Sequence, residues 1–269
     1  MQQNREPAVA GMFYPGDAQR LRTEVLDLLA QASPKALKKP RFLIVPHAGY
    51  SYSGQVAAEA FIEIEDYDYQ RIYLLGPSHH YYFTGMVGSD YRSWSTPLGE
   101  MEAQPPGLEG LEINNRFHQP EHSLEVQLPF LQILQPQAQI IPLLCSGGLP
   151  EAKDLAQRLA GEEEDILMVI SSDFNHVGPR FGYLPKEHGF ETGAALDQKI
   201  IEVIEGGEIA AFRSIITQYN ATVCGALPIL VALYLSRAWQ LEPFQLKAYD
   251  NSGNMVGGPD SVGYAALYA

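Results

Sequence analysis

Seven histidines and two cysteines are the residues of this chain that could do chemistry. His47 stands in the segment PHAGY, His79 and His80 in GPSHH, and His176 in SSDFNH. Proline, glycine and serine beside them indicate loops shaped to present a side chain. Imidazole ligates metals and exchanges protons near neutral pH. These segments are therefore the first candidates for a functional site, although His47 could also be a turn or core histidine.

Two further groups could support such a site. Asp173 precedes His176 by three residues, so a single helical turn would bring the carboxylate beside the imidazole and orient it. Asp173 could also cap a short turn. Cys224, in TVCGA, stands at the predicted start of a helix, where the pKa of a thiol is lowered and the thiolate can bind metal. It could instead be a core residue, which is also our interpretation of Cys145.

The remaining histidines divide by their surroundings. His79 and His80 are adjacent, so their side chains diverge in an extended segment, and we expect His79 to enter the site. His122 precedes an apolar helical pattern, so His122 or the following serine could cap that helix, with Glu125 in its first turn. His122 or His80 could also support the site from behind the ligands. His118 and His188 lie among polar residues and are expected at the surface.

The elements that must position these residues alternate along the chain. Short apolar runs predict strands at Arg41–Pro46, Arg71–Leu75, Ala138–Leu144, Ile166–Ser171, Phe244–Tyr249 and Ser261–Tyr268. Helical spacing predicts helices from Asp17, the cap, to Ala32 and at Ser53–Ile64, His122–Leu134, Glu151–Leu159, Phe190–Glu205, Glu208–Tyr219 and Cys224–Ala238. Pro142 places its strand at an edge or bulge, and Pro97–Leu111 is expected to be a long surface loop.

This alternation predicts one α/β domain over residues 1–269, an α/β/α sandwich around a mainly parallel or mixed sheet. Ligands of such sheets bind beyond the carboxyl ends of the strands. Three predicted strands end just before His47, His79 and the Asp173–His176 segment. Imidazoles with a thiolate or carboxylate suit Fe(II), Zn or Cu, and a set of three ligands leaves open positions for catalysis. A serine hydrolase fits poorly, because the chain has no G-x-S-x-G segment.

Composition excludes several classes of protein. The 269 residues include 18 basic and 32 acidic ones, for a net charge of −14, which argues against nucleic-acid and anionic-membrane binding. No apolar run approaches the length of a membrane span, and the first residues lack an apolar signal region, so we expect a cytoplasmic protein. Two cysteines in a reducing compartment do not predict a disulfide framework.

Several segments together resemble the Memo family. They follow one another in the same order over essentially the whole chain: AGMFYP, PHAGYSYSG, LGPSHH, EHSLEVQLP, SSDFNH, CGALP and SVGYAA. The resemblance implies a fold similar to that of class III extradiol ring-cleavage dioxygenases, which use non-haem Fe(II).

The resemblance also implies roles for single residues. His47, His79 and Cys224 match the positions of the family's metal ligands, and His176, with Asp173 beside it, matches the acid/base histidine of the dioxygenases. Cys224 stands where the dioxygenases have a carboxylate, and a thiolate shifts the metal preference toward Cu(I) or Zn. We therefore expect one transition-metal ion, Fe(II) first, with Cu or Zn as alternatives.

The family leaves the function open among three hypotheses. The first is a metal-dependent oxidoreductase of the dioxygenase type, with a small molecule in the metal cleft. The second is a module that binds a peptide or protein in the same cleft, as eukaryotic Memo is associated with a phosphorylated receptor peptide. The third is a subunit acting with a radical-SAM protein, with which prokaryotic relatives are associated.

Overall fold

The computed structural model describes residues 4–33, 35, 38–161 and 165–269. Its strands are β1 Asn4–Arg5, β2 Phe42–Val45, β3 Arg71–Pro77, β4 Gly85–Gly88, β5 Ser93–Thr96, β6 Gly99–Glu102, β7 Glu112–Ile113, β8 Gln139–Ser146, β9 Ile166–Ser171, β10 His176–Val177, β11 Gln245–Asn251 and β12 Ser261–Tyr268. Its α-helices are α1 Ala18–Ala30, α2 Tyr50–Phe61, α3 Asn115–His118, α4 Leu128–Leu134, α5 Ala152–Leu159, α6 Gly193–Glu205, α7 Ile209–Gln218, α8 Ala226–Ala238 and α9 Ser252–Val256.

The main sheet runs in the order β10-β12-β2-β9-β3-β8-β4-β7, with β11 paired to β12. Its centre, β2-β9-β3-β8, is parallel, while β12 and β4 join it in the antiparallel sense. Helices α1, α2 and α4 cover one face, and α5 to α8 cover the other. Central strands buried on both faces must be apolar throughout, and all six residues of β9 are buried. The predicted α/β sandwich with a mixed sheet is confirmed.

Most predicted elements lie where the sequence placed them. Asp17 caps α1, and its carboxylate accepts the N–H of Arg20 at 2.9 Å. The strands at Ile166–Ser171 and Ser261–Tyr268 have the predicted bounds. Pro142 lies in an internal strand rather than an edge strand, but β4 pairs with β8 only from Leu143 onward. Pro142 therefore has a strand partner on one side only, which is where a residue without an N–H is tolerated.

A second sheet, β1-β5-β6, was not predicted. Strand β6 lies inside the segment Pro97–Leu111, which was expected to be a loop without regular structure, so that prediction was wrong. Strands of two to four residues carry too little periodicity to be recognised. In the described ranges, no helix combines the length and the apolar character needed to span a membrane.

The small sheet fixes the N-terminus through a buried ion pair. Arg5 is 1% exposed, and its Nη1 donates to Oε2 of Glu125 at 2.7 Å. The same guanidinium donates to the carbonyls of His118 and Glu121 and lies 4.2 Å from the ring centroid of Trp94. Glu125 was expected in the first turn of a helix, and it lies in the first turn of the short helix Glu125–Gln127. It is fully buried there, and it also accepts the hydroxyl of Tyr14 at 2.6 Å.

Candidate functional site

Polar side chains meet where three adjacent parallel strands end. His47 follows β2, Asp173 follows β9, and His79 follows β3, and β9 lies between β2 and β3 in the sheet. Because parallel strands end at the same edge, the three residues come together although 126 positions separate the outermost two, His47 and Asp173. The predicted convergence at this edge is therefore present in the structure.

Three imidazoles form the centre of the site. Ring centroids lie 5.1 Å apart for His47 and His79, 5.6 Å for His47 and His122, and 4.7 Å for His79 and His122. One ligand atom from each lies within 4.8 Å of the others. We call these three residues the histidine cluster. Among the described residues, it is the group of metal-ligating side chains that is compact enough to hold one ion.

The hydrogen bonds of His47 define which ring nitrogen is free. Its Nδ1 lies 2.9 Å from Oγ of Ser171, and that hydroxyl donates to the carbonyl of Ser123 at 2.6 Å. The single hydroxyl proton is thus used, so Nδ1 of His47 must carry the hydrogen. Nε2 keeps a lone pair, is buried and has no hydrogen-bond partner. Burial, followed by the neighbouring imidazoles His79 and His122, holds the pKa of His47 well below its usual range, so the ring is neutral and ready to bind a cation.

Glu121 supports the other two members of the cluster. It accepts the main-chain N–H of His79 at 2.6 Å, and its Oε1 lies 2.9 Å from Nδ1 of His79 and 3.3 Å from Nδ1 of His122. Burial alone would raise the pKa of Glu121, but the hydrogen bonds and charge of His79 hold it well below its usual range. A carboxylate behind a ligating imidazole fixes its tautomer and orientation. This role was not predicted from the sequence, although the acid directly before His122 was a usable signal.

Asp173, His176 and Cys224 line the same cavity as the cluster. The carboxylate of Asp173 accepts the N–H of His47 at 2.7 Å, while Nδ1 of His176 lies 3.1 Å from the carbonyl of Phe174 and 3.3 Å from that of Thr222. The expectation that Asp173 orients His176 through one helical turn was wrong. The segment is extended, and carbonyl groups orient the ring instead. Since carbonyls only accept, Nδ1 carries the hydrogen and Nε2 of His176 is free to take a proton.

Burial changes the proton affinity of these groups. Burial raises the pKa of Asp173 to about 7, although the N–H groups of His47 and Ala48, which donate to its carboxylate, act to lower that pKa. It lowers the pKa of His176. Burial, and next the charge of Asp173, raise the pKa of the Cys224 thiol, so the lowering expected at a helix start was wrong. Helix α8 begins after Cys224, whose N–H is bonded to the carbonyl of Asp173 at 3.2 Å.

Two of the three predicted metal ligands lie in the histidine cluster, and the third lies outside it. His47 and His79 belong to the histidine cluster, whereas Sγ of Cys224 lies 3.9 Å from the ring nitrogens of His176 in the same cavity. The ligand set His47, His79 and Cys224 stays a prediction. His122 enters the cluster and forms no helix cap, because the short helix that follows begins at Glu125 and has no side-chain cap.

The other three histidines do not line the cavity. His80 is exposed and does not line the cavity, as its divergence from His79 predicted. His118 is fully buried rather than at the surface, and it donates from Nε2 to the carbonyl of Val87 at 3.1 Å. Its polar sequence neighbours concealed this burial. His188 is half-buried and stacks on Tyr183. Cys145 is a buried core residue, as expected.

The cavity has a volume of about 430 Å³ and opens to solvent. Its walls include three aromatic rings and one arginine that the sequence analysis did not single out: Phe13, Phe181, Tyr264 and Arg180. Phe13 lies 4.7 Å from His122 and Phe181 lies 5.2 Å from His176, measured between ring centroids. The volume and the mixed lining are those of a small-molecule site.

A second buried acid holds the segment that carries His176. Asp197 of α6 accepts both the N–H and the side-chain amide of Asn175, at 3.0 and 2.6 Å, and the hydroxyl of Tyr249 at 2.7 Å. Burial raises the pKa of Asp197 to about 6, although the hydrogen bonds from these donors act to lower it. The folded protein therefore binds the proton more tightly than the unfolded chain does.

This pKa predicts how Asp197 contributes to stability as pH changes. Its stabilising contribution should be complete below about pH 4 and should be lost as pH rises through 6, by about 2 to 3 kcal/mol. Urea unfolding of the wild type and Asp197→Asn between pH 4 and 7 measures it, since the variant shares every other titration. A difference between the two proteins that does not change with pH would contradict the prediction.

Comparison with known proteins assigns the family. A family model described as Memo-like protein matches residues 5–268. A MEMO1 family protein of Aquifex aeolicus is 36% identical over 94% of each chain, and one of Methanobrevibacter smithii is 32% identical over 97% of this chain and 98% of its own. One of Caldivirga maquilingensis is 31% identical over 98% of each chain. With the match extending from the buried Arg5 through the histidine cluster to the last strand, the chain belongs to the Memo family.

Proposed function

We propose that this protein binds one transition-metal ion at the carboxyl edge of its sheet and acts as a metal-dependent oxidoreductase of the dioxygenase type. The observation that carries the proposal is Nε2 of His47, a buried lone pair without a hydrogen-bond partner beside two further imidazoles. Leaving a buried polar atom unpaired is costly, so such an atom needs an explanation, and an ion supplies one.

The donor set suits a divalent transition metal. His47 and His79 would supply imidazole nitrogens, and Cys224 is our third ligand, because its thiolate would compensate part of the positive charge. Its raised pKa means that the thiol loses its proton only when a cation is near. Nitrogen and sulfur ligands favour Fe, Cu and Zn over Mg and Ca. His122 is the alternative third ligand because of its place in the cluster.

The remaining groups handle protons. Nε2 of His176 can accept a proton from a substrate held in the cavity, since its Nδ1 hydrogen is directed at carbonyls. Asp173, with a pKa of about 7, can hold or release a proton near neutral pH. Phe13 packs on His122 and Phe181 on His176 beside these groups. A bound iron or copper ion supplies Lewis acidity and one-electron chemistry.

The test is metal analysis of protein purified anaerobically without an affinity metal column, followed by titration with Fe(II), Cu and Zn. We expect about one ion per chain, and binding that releases a proton. Cobalt(II) loading should give thiolate charge-transfer absorption that Cys224→Ser removes and His122→Gln keeps. Saturable binding without that absorption would assign the third position to His122, and no saturable binding of any of these metals would overturn the proposal.

Glu121→Gln should weaken metal binding by about 10- to 100-fold, the range found when a carboxylate behind a metal-ligating histidine is removed. The amide keeps the shape but can present an N–H to Nδ1 of His79, which disturbs its tautomer. Competition titration against a chelator measures the change, with the exposed Glu109→Gln as matched control. An unchanged affinity in Glu121→Gln would show that Glu121 does not orient the ligands.

A groove beside the cavity favours a second candidate function. It has a volume of about 370 Å³, shares Arg180, Phe181 and Tyr264 with the cavity, and extends past the exposed Val256. A groove of this kind, with apolar and charged residues in its walls, could hold a peptide or a segment of a radical-SAM partner. Co-purification with partners, and peptide titration in which Val256→Asp abolishes binding, would support this function. Catalytic turnover of a small molecule would favour the first one.

A further inference from the structure

We propose that the cavity takes a small organic carboxylate, whose anionic group pairs with Arg180 at the mouth while its body contacts Phe13 and Phe181. This inference names the substrate class of the proposed metal site, and it rests on the proposed function for the chemistry at the base of the cavity. It concerns a residue to which the metal proposal gives no role.

Arg180 is a cation without an anion to balance it. Among the described residues that line the cavity, it is the sole arginine or lysine. Within the same described part of the chain, its guanidinium has no hydrogen bond and no carboxylate at ion-pair distance. Its place in the cavity wall distinguishes it from the other arginines of the described ranges. A charge kept free at the mouth of a cavity is available to a ligand.

The backbone that carries Arg180 is held in place. Gly178 has a φ of 115°, which favours glycine, and a Cβ there would lie 2.4 Å from Oδ1 of Asp260. That same oxygen accepts the N–H of Arg180 at 2.9 Å. The carboxylate of Asp260 is therefore engaged by the main chain. A fixed backbone lowers the ordering cost of binding, and the side chain lines both the cavity and the adjoining groove.

The cavity walls indicate the body of the ligand. Phe13 packs on His122 and Phe181 on His176, so the two phenyl rings stand beside the histidine cluster and beside the proton acceptor. Tyr264 adds a third ring. Aromatic walls favour a flat apolar body, because ring faces bury large area and stack. The volume of about 430 Å³ is in the range of small-molecule sites.

The charges around the cavity favour a carboxylate over a phosphate. A guanidinium matches the planar fork of a carboxylate with two parallel hydrogen bonds. A phosphate dianion needs more positive charge than one arginine offers, and Glu121 and Asp173 on the inner side would repel it. A monoanion with its charge at the mouth, away from these two acids, is the better fit.

The experiment compares matched probes by isothermal titration calorimetry. 4-Hydroxybenzoate carries the anion, 4-hydroxybenzamide is its neutral counterpart, and phenyl phosphate is the dianion. Each is titrated into the wild type, Arg180→Gln, Arg180→Lys and Arg213→Gln. The last variant is the control, because Arg213 is an exposed arginine on α7 that does not line the cavity. We expect Arg180→Gln to weaken 4-hydroxybenzoate about tenfold, from the loss of a charge-assisted pair. Arg180→Lys should keep part of the affinity, and Arg213→Gln should change nothing.

The outcomes separate this inference from the metal proposal, because each titration is run with metal-free and zinc-loaded protein. Arg180-dependent binding of 4-hydroxybenzoate supports the inference even in protein that fails to bind metal. Three results would overturn it: no binding of 4-hydroxybenzoate, equal affinity for the benzamide, or the same loss in Arg213→Gln. Tighter Arg180-dependent binding of phenyl phosphate would overturn the carboxylate assignment.

Discussion

Arg5→Met should lower the free energy of unfolding by about 3 to 5 kcal/mol, the cost of removing one partner of a buried ion pair. Methionine fills much of the same space, so the loss is electrostatic. Glu125, fully buried, would be left without its cation, and the carbonyls of His118 and Glu121 would lose their donors. Urea unfolding followed by circular dichroism measures the change.

The exposed Arg92→Met is the matched control and should shift stability by no more than about 0.5 kcal/mol. In the double variant Arg5→Met/Glu125→Gln the unpaired charge is gone, so part of the stability should return. A loss below about 1 kcal/mol in Arg5→Met, or a double variant no more stable than the single one, would show that the pair contributes little.

His47→Ala should reduce metal affinity by at least about 100-fold, more than the loss of a supporting carboxylate, because a ligand itself is removed. Of the cluster, His47 is the most buried and the one whose free lone pair the hydrogen bonds define. The remaining imidazoles cannot move into its place, since Glu121 holds both of them. Titration against a competing chelator gives the affinity, and circular dichroism verifies the fold.

His188→Ala removes an imidazole outside the cavity and should leave metal affinity unchanged. If both variants lost affinity equally, the effect would be one of general stability. Unchanged metal binding in His47→Ala would contradict the assignment of His47 as a ligand and, with it, the observation on which the proposed function depends.

The parts of the fold that follow from local pattern were predictable. Continuous apolar runs such as Ile166–Ser171 can be satisfied only between two layers, so both the strand and the sandwich follow from them. The rule that ligands gather beyond strand ends then predicts that His47 and His79 lie together. Contacts between residues that are far apart in the sequence, and whose own segments carry no distinctive pattern, could not be predicted.

Arg5 and Glu125 illustrate this limit, because they are 120 residues apart and each resembles an ordinary surface charge in its own segment. His118 was placed at the surface for the same reason. Arg180 gave no signal because its importance lies in its place in the cavity wall, which only the packing of the described residues reveals. Asp173 was expected to orient His176, and the extended path of the segment directs it to the main chain of His47 instead.

Strand β12 determines when, during folding, the cavity becomes complete. Val262 and Tyr264 of β12 line the cavity, β12 pairs with β2 immediately before His47, and the N–H of Ala269 is bonded to the carbonyl of Phe42 at 3.1 Å. A ribosome therefore synthesises every imidazole of the cluster long before it synthesises the strand that completes the wall. The cavity wall is therefore complete only once β12 has paired with β2, so a metal ion at the proposed site would gain its full surroundings late in folding.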